Sequence, residues 1–428
     1  MIALALAALV TASPPADAPL TLADAEALLW AGRLADAEVA LERLASGGDP
    51  SALVRLSQAR RWSGRPLSAR EAALRALALA PERGDVREEV AWTWVDDGRA
   101  TRASEVLGTG ASGASGELLA RIRQLRRVSA SFGGTAYSDN YGVIRFAPRV
   151  RLDVPWGRDA RLSLGGGASR LSQGGEVGWS ESAGAELTVP LDCVQLAGGA
   201  GIHRVASGAL LTEGHAALVV RPSDAFRVEL LARRRPFVEA LAILTTEVDA
   251  FHGAGVGGAL DLGPLERRGV DEARLSVVAQ PFGGAWLYGV GRAFAITDGN
   301  RGWSAAVGAG LSLTRLVRAR GPLDVALRWD SYLTGFSEPR AAYLSPPYLD
   351  AHSPGLELTL RLGQRFALSV EGGPTFSSDS AALEGAGWFA GAGVEVTLGR
   401  AKLGLRAQAR RDPWFESTRA WSRIQVPF

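Results

Sequence analysis

Apolar and polar residues alternate one by one along much of the chain after residue 128. The alternation is clearest in residues 224–233, 324–330, 356–362 and 401–410. In each stretch, one set of alternate positions holds mainly Leu, Val, Ala, Phe or Trp, and the other holds mainly Arg, Glu, Asp, Thr or Lys. Because successive side chains of a strand point to opposite faces, this pattern predicts strands with one apolar and one charged face.

Two all-β architectures fit this pattern: a soluble sandwich with its polar face outside, and a membrane barrel with its polar face inside. Aromatic residues near the predicted strand ends favour the barrel, because such residues anchor at membrane interfaces; they are Trp286, Tyr288, Trp303, Trp388 and Trp414. Ile424, Val426 and Phe428 share one face of the last predicted strand. A terminal aromatic of this kind resembles the signal that bacterial outer-membrane barrels present to the barrel-assembly machinery.

We therefore predict an all-β transmembrane barrel of about 16 antiparallel strands over residues 128–428, surrounded by outer-membrane lipid. At that size the lumen is an aqueous pore unless an internal element plugs it.

The first part of the chain has a different, helical period. Residues 20–107 are rich in Ala, Leu, Glu and Arg, with apolar residues at helical spacing. Gly32, Gly64 and Gly98 are each followed by Arg and an Ala-rich stretch. This spacing resembles the tetratricopeptide repeat, so we predict α-helical tetratricopeptide-like repeats over residues 19–107; a generic helical bundle is the alternative. Residues 108–127 are predicted to form a linker and a short basic helix.

The N-terminus resembles a secretory signal. An apolar run from Ile2 to Val10 leads to the small residues Thr11 and Ala12, and Pro14 follows. A buried or frayed helix is the alternative. We predict a signal peptide and short linker over residues 1–18, and therefore an exported protein.

Composition argues against several classes of function. The formal net charge is only +2, so nucleic acid is not an expected partner. Cys193 is the only cysteine, which excludes an internal disulfide and a thiolate zinc site. His203, His215, His252 and His352 lie in no recognisable nucleophile motif. Asp139–Asn140 and Asp298–Asn300 suit tight turns better than calcium loops. We expect no metal, no cofactor and no catalysis.

Several segments carry a family resemblance: RRPFVEAL (234–241), DAFHGAGVGG (249–258), AFAITDGNRGW (293–303) and SYLTGFSEPRAAYLSPPYL (331–349). In order and spacing they resemble the C-terminal barrel domain of the outer-membrane subunit of bacterial cellulose synthase, over about residues 215–380. Val256, Leu344 and Pro347 depart from that family, which usually has Trp, Phe and Gln there.

The resemblance implies an outer-membrane export pore for an exopolysaccharide, most simply cellulose or a similar β-glucan, in a Gram-negative bacterium. It also implies that the repeats lie in the periplasm and dock periplasmic or inner-membrane synthase subunits. The alternative from another class is a non-conducting barrel that serves as a scaffold for envelope assembly, with the repeats as its partner-binding module.

An export pore needs polar groups that exchange hydrogen bonds with sugar hydroxyls, and aromatic faces along which sugars slide. The lumen and glucan-path candidates are Arg227, Glu229, Asp324, Arg328, Asp330, Glu357, Arg361, Lys402, Arg406 and Arg410. Cross-strand charge ladders that stiffen the wall are the alternative role. Candidates for sugar contact or for interfacial anchoring are Trp286, Tyr288, Trp303, Tyr343 and Tyr348.

The segment after residue 233 is too apolar for an ordinary loop. We predict that a strand ends at Arg233, that a connection follows, and that the chain re-enters the wall at the glycines of 253–258. This connection is a candidate gate, and its gating-loop candidates are Arg235, Pro236, Phe237 and Asp249.

Overall fold

A computed structural model describes residues 20–108, 114–139, 144–173, 176–236, 268–281, 284–316, 322–338, 348–363, 365–379, 384–398, 401–411 and 416–427. The predicted signal peptide, the middle of the linker, Phe237, Asp249, Tyr343, Trp414 and Phe428 lie outside these residues. The chain divides into two compact units, Met1–Leu125 and Arg126–Phe428.

The described part of the first unit is helical. Its helices are α1 (Leu22–Trp30), α2 (Leu34–Ala45), α3 (Pro50–Trp62), α4 (Pro66–Leu79), α5 (Gly84–Asp96), α6 (Ala100–Leu107) and α7 (Gly116–Leu125). Consecutive helices pack on each other through buried alanines and leucines such as Ala37, Leu41 and Leu53. Small alanine side chains let the helix axes approach closely, so the helical period predicted from the sequence produces a packed stack.

The three repeated glycines end the first helix of each pair. Gly32, Gly64 and Gly98 have φ values of 71°, 76° and 78°, a left-handed conformation that favours glycine. The following arginine is the N-cap residue of the next helix in each case. The repeat seen in the sequence is therefore a repeat of helix, left-handed glycine turn and helix.

The second unit is a closed barrel in which every strand pairs antiparallel with its sequence neighbours and the last pairs with the first. The strands are β1 (Ser129–Asp139), β2 (Ile144–Trp156), β3 (Ala160–Gln173), β4 (Glu176–Leu191), β5 (Val194–Val205), β6 (Leu210–Ser223), β7 (Phe226–Pro236), β8 (Gly269–Ala279), β9 (Ala285–Ile296), β10 (Arg301–Ser312), β11 (Leu323–Phe336), β12 (Leu349–Leu362), β13 (Phe366–Asp379), β14 (Glu384–Leu398), β15 (Ala401–Arg411) and β16 (Glu416–Pro427). The prediction of an antiparallel barrel with about 16 strands is confirmed.

The two ends of the barrel differ in their connections. Ser129 of β1 pairs with Pro427 of β16, so both termini of the barrel lie at one end, which we call the proximal end. Most of the connections there are short, as between Leu191 and Val194 or Ser223 and Phe226. A short helix, α8 (Leu313–Leu316), lies in the connection from β10 to β11 at the same end. The opposite, distal end holds the long connection from β7 to β8.

One boundary predicted from the sequence is wrong. Strand β7 continues to Pro236, beyond the predicted end at Arg233, and its next neighbour in the wall is β8, which begins at Gly269. Among the described residues the wall therefore resumes at Gly269; the glycines of 253–258, where re-entry was predicted, lie outside the described residues. Arg235 and Pro236, proposed as loop residues, are wall residues, because the hydrogen-bonded pairing with β8 extends to the end of β7. No helix among the described residues is long and apolar enough to cross a membrane.

Candidate functional site

The two faces of the barrel wall differ in polarity as the alternation predicts. On β11, Leu327 and Trp329 are 46% and 58% exposed. The side chains of Arg328 and Asp330, on the opposite face, are only 9% and 1% exposed. The charged face is the inner one, because its side chains reach across an intervening strand: Arg328 of β11 contacts Glu371 of β13. Such contacts fit the concave side of a barrel, where side chains converge. The outer face is therefore apolar and the lumen wall is polar.

A continuous set of bonds links alternate strands around one side of the lumen. The Tyr288 hydroxyl of β9 donates to Asp330 Oδ1 of β11. Arg328 Nε donates to Asp330 Oδ2 at 2.6 Å, and its Nη1 donates to Glu371 Oε2 at 2.6 Å. Glu371 Oε1 accepts from Arg406 Nη2 of β15, also at 2.6 Å. We call Tyr288, Asp330, Arg328, Glu371 and Arg406 the lumen network. Negative and positive side chains alternate along the network. The free-energy cost of burying each charge is therefore offset by a bonded partner of opposite charge.

Glycines on the strands between these residues make room for the network. Gly308 of β10 lies directly opposite Tyr288, and Gly391 of β14 lies directly opposite Glu371. A Cβ atom at Gly391 would lie 2.7 Å from Glu371 Oε1, inside van der Waals contact. The long side chains therefore lie flat across the neighbouring strand. This arrangement accounts for part of the high glycine content after residue 108.

Two aromatic side chains predicted near strand ends line the lumen instead. Trp286 and Tyr288 lie on the same face of β9, opposite Gly310 and Gly308, and their rings stack with centroids 5.6 Å apart and planes inclined by 19°. The interpretation of these two residues as part of a membrane girdle is wrong, because the register of β9 with β10 and β11 turns them inward. Trp303, by contrast, is on the outer face and 43% exposed, as a girdle residue would be. Tyr348 is 40% exposed at the start of β12.

The other predicted lumen residues also occupy inner-face positions, and several form short-range ladders. Arg227 Nη2 donates to Glu229 Oε2 at 3.0 Å, and Arg274 Nη2 donates to Glu229 Oε1 at 2.5 Å. Asp324 Oδ1 accepts from Ser312 Oγ at 2.5 Å. Inner-face positions are also held by Glu357, Arg361, Lys402 and Arg410. The ladders match the wall-stiffening role; contact with a glucan stays a prediction for every one of these residues.

Arg235 belongs to a buried charge cluster near the distal end. Glu272 of β8 accepts from Arg235 Nη2 at 2.7 Å and from Arg233 Nε at 3.0 Å, and Arg292 Nε of β9 lies 3.8 Å away. Arg274 and Arg292 are directly opposed across β8 and β9. Like charges that face each other repel, so the shared carboxylates Glu229 and Glu272 hold this part of the wall together.

Sequence reasoning missed the polar residues of the glycine-rich strands. His203 Nε2 lies 2.8 Å from Glu213 Oε2, and His215 Nε2 lies 3.0 Å from Glu186 Oε2. Glu213 and His215 flank Gly214, and Glu186 follows Ala185, so small residues interrupt the apolar face of these strands in the sequence. Polar residues separated by a single small residue, as in 213–215, are the signal that could have found Glu213 and His215.

One polar array lies on the outer face. Ser331 Oγ lies 2.9 Å from His352 Nδ1, and His352 Nε2 lies 3.3 Å from Asp350 Oδ2. Trp329 Nε1 donates to Ser331 Oγ at 3.0 Å. Ser331 is only 9% exposed, so its hydroxyl is largely covered and fixes the orientation of the Trp329 indole. No group of three or more potential metal ligands occurs within the described ranges.

The class of molecule that this geometry defines is a closed 16-stranded antiparallel barrel with an apolar exterior and a charged lumen wall. No family model matches the chain, and no curated protein sequence matches it either. Among solved structures, a bacterial polysaccharide outer membrane secretin is similar at 11% identity and a TM-score of 0.58, covering 71% of this chain and 99% of that one.

Two weaker similarities are to CdiB from Acinetobacter baumannii and to OccK3 (OpdO) of Pseudomonas aeruginosa. CdiB has 9% identity and a TM-score of 0.44, with 70% of this chain and 60% of that one covered. OccK3 has 11% identity and a TM-score of 0.35, with 71% and 95% covered. At these identities the comparison with the polysaccharide secretin establishes the barrel fold, and the two weaker scores add no further argument.

Proposed function

We propose that this protein is an outer-membrane pore through which a Gram-negative bacterium exports a polysaccharide chain. The observation that carries the proposal is the inner wall of the barrel, where flat-lying aromatic rings adjoin a lattice of arginines and carboxylates. A barrel of this size that exposes apolar side chains outward fits a lipid bilayer, and its lumen is wide enough for water.

The lumen wall has the chemistry that a sliding sugar chain needs. Trp286 and Tyr288 present a stacked aromatic surface on one strand. Arg328, Asp330 and Glu371 are bonded to each other and nearly buried, so they fix this part of the wall. Arg406, whose side chain is 36% exposed, is the charged member of the network that a passing hydroxyl can reach. Contacts of this kind are individually weak and repeated, and a chain held by them keeps moving. The fold similarity to a polysaccharide secretin supports the same function.

The finer parts of the proposal rest on the sequence resemblance. It suggests a β-glucan-type polymer, as in cellulose export, and it suggests that the helical unit is a tetratricopeptide-like module that docks synthase subunits in the periplasm. The left-handed turns at Gly32, Gly64 and Gly98 and the helix pairs between them support the repeat assignment. The barrel-assembly machinery is the partner proposed for membrane insertion.

Planar-bilayer recording with the purified full chain tests the proposed pore. We expect a persistent ionic conductance that soluble sugar oligomers block reversibly. In cells, deletion of the gene with the synthase left intact should abolish surface polysaccharide. Absence of conductance together with unchanged secretion would favour the alternative, a non-conducting scaffold for envelope assembly.

The connection from β7 to β8 is proposed as the gate. Deleting residues 238–252 should raise the conductance if the connection narrows the lumen. A deletion in the connection from β11 to β12 that spares Glu338, Tyr343 and Tyr348, residues 339–342, serves as the control for loop shortening in general. Unchanged conductance of the first variant would make the connection a surface loop.

A further inference from the structure

Three polar side chains on the outer face, near the distal end, are arranged in the order hydroxyl, imidazole and carboxylate. Ser331 of β11 lies directly opposite His352 of β12, and Ser331 Oγ lies 2.9 Å from His352 Nδ1. On the other side of the ring, His352 Nε2 lies 3.3 Å from Asp350 Oδ2. The carboxylate favours the tautomer with the proton on Nε2, so Nδ1 is left to accept the serine proton. We call Ser331, His352 and Asp350 the outer triad.

Neighbouring side chains hold both ends of the outer triad in place. Asp350 Oδ1 accepts a hydrogen bond from Ser378 Oγ of β13, and Ser331 Oγ accepts one from Trp329 Nε1 at 3.0 Å. The carboxylate therefore keeps its position beside the ring, and the indole N–H keeps its position beside the hydroxyl. Because the three residues lie on paired strands rather than on loops, their relative geometry is well fixed. The imidazole is the accessible member, with 43% of its side chain exposed.

The outer triad lies at the boundary between the apolar belt of the outer face and its distal polar rim. Toward the proximal end, the same face of β11 and β12 continues with the exposed residues Leu327 and Leu356. At the level of the triad, the exposed ring of Phe376 on β13 lies directly opposite His352. Exposed aromatic rings mark the interface region of a bilayer, and the ester bonds of lipids lie at that level. The triad is therefore at the depth where a lipid presents its esters.

An ionisable pair on a lipid-facing surface has a cost. Transfer of charged side chains to the lipid face of a barrel is unfavourable, and ionisable residues kept at membrane depth commonly serve a function. Leu356 and Leu358 show the apolar residues that the same face of β12 carries elsewhere. No sequence motif marks the triad, because its members come from two strands whose side chains meet only in the barrel.

From this geometry we propose that the outer triad is an esterase site whose substrate is a fatty-acyl ester of a membrane lipid. Ser331 is the nucleophile, His352 is the general base, and Asp350 is a positioning residue that acts through His352. The acyl chain of the lipid lies along the leucines of the apolar belt, which leaves its ester at the level of Ser331. This activity goes beyond the proposed export function and does not depend on it, because it uses the opposite face of the wall.

The reaction has two halves. Ser331 Oγ attacks the ester carbonyl carbon while its proton passes to His352 Nδ1; the bond to the alcohol oxygen then breaks, and the alcohol leaves with that proton. Water attacks the acyl-serine and gives its proton to His352, and Ser331 regains it as the fatty acid departs. The Trp329 indole is 58% exposed, so it can turn aside as the ester enters and donate its N–H to the negative carbonyl oxygen.

The test uses the full-length protein in detergent micelles. p-Nitrophenyl esters of acetate, octanoate and palmitate are compared, and release of free fatty acid from phosphatidylethanolamine in mixed micelles is measured beside them. We expect the octanoate ester to be hydrolysed about tenfold faster than the acetate ester, because the apolar belt binds the longer chain. A fluorophosphonate with a long alkyl chain should label the wild-type protein on Ser331, as identified by mass spectrometry of the labelled peptide.

Variants assign the roles. S331A should abolish both labelling and hydrolysis, and H352Q should lower kcat by about 100-fold or more. D350N should lower kcat by about tenfold and leave KM unchanged, which a general loosening of the wall would not do. S172A is the matched control: Ser172 is also on the outer face near the distal end, but it lies opposite Ile144 and Val177, which offer no base. It should keep both labelling and hydrolysis.

The outcomes are distinct from those for the pore. Absence of label on Ser331 in the wild-type protein, or hydrolysis that persists in S331A, would overturn the esterase site, and neither result depends on how well a variant folds or inserts. Preference for the acetate ester would overturn the lipid substrate. A conducting pore without ester hydrolysis leaves export standing and removes this inference, whereas hydrolysis without conductance does the reverse.

Discussion

The glycine at position 310 provides a direct test of how the lumen wall is packed. Gly310 lies opposite Trp286, and a Cβ atom added there would be 2.6 Å from the indole Nε1 and nearer still to two ring carbons. Carbon and ring atoms normally keep about 3.5 Å apart, so in Gly310→Ala the indole must move by about 1 Å or more. The wall blocks movement outward, and the ring therefore shifts toward the lumen and out of its stack with Tyr288.

We expect this overpacking to cost about 1–3 kcal/mol of unfolding free energy. The assay is urea unfolding of the barrel in lipid vesicles, followed by tryptophan fluorescence, with single-channel conductance measured in parallel. Conductance should fall, because a displaced indole narrows the pore. Gly404→Ala is the matched control: Gly404 is also on the inner face, and nothing lies within 4 Å of an added Cβ there.

A double-mutant cycle makes the interpretation specific. In a Trp286→Ala background the penalty of Gly310→Ala should fall to nearly zero, because the added methyl group then has space. Equal penalties in the two backgrounds, or a silent Gly310→Ala, would refute the conclusion that the indole lies flat over this glycine.

Two further predictions concern charge. Glu371→Gln keeps the shape of the side chain but removes the charge that Arg328 and Arg406 share. The free energy of unfolding of the barrel should therefore fall by about 2 kcal/mol in the same assay. A stability within error of the wild type would show that lumen water already screens these ion pairs. In the helical unit, burial raises the pKa of Glu89, and the bonds from Arg61 and Ser57 offset only part of that rise. The folded state therefore holds this proton more tightly than the unfolded state, so stability should increase as pH falls from the raised pKa toward about 4.5 and decrease as pH rises through the raised pKa. Glu89→Gln should abolish this pH-dependent contribution to stability, measured by unfolding of the helical unit followed by circular dichroism. Glu82→Gln, at a largely exposed position, should retain it. Identical pH profiles for the wild type and Glu89→Gln would contradict the assignment.

The sequence by itself determined the local elements and the two faces of most strands. The alternation in residues 324–330 placed Leu327 and Trp329 on one face and Arg328 and Asp330 on the other, and the structure agrees. The length of the β region gave the strand number, because each strand with its connection uses a similar stretch of chain. The helical repeat was visible for a similar reason: a glycine with positive φ at Gly32, Gly64 and Gly98 leaves a local mark in the sequence.

Only the tertiary structure decided which side chains meet. Glu371 of β13 contacts Arg328 of β11 and Arg406 of β15, each two strands away in the wall. No local sequence pattern encodes the relative shift of these strands that brings the three side chains to the same height in the barrel. On β9 both faces hold mainly apolar and small residues, with Arg292 as the charged exception, so the local pattern gave Trp286 and Tyr288 no clear direction. The hydrogen-bond register with β10 turned them inward, over glycines that accommodate their rings. Closure likewise decides that β16 pairs with β1, which places Tyr137 of β1 between Arg145 of β2 and Arg419 of β16.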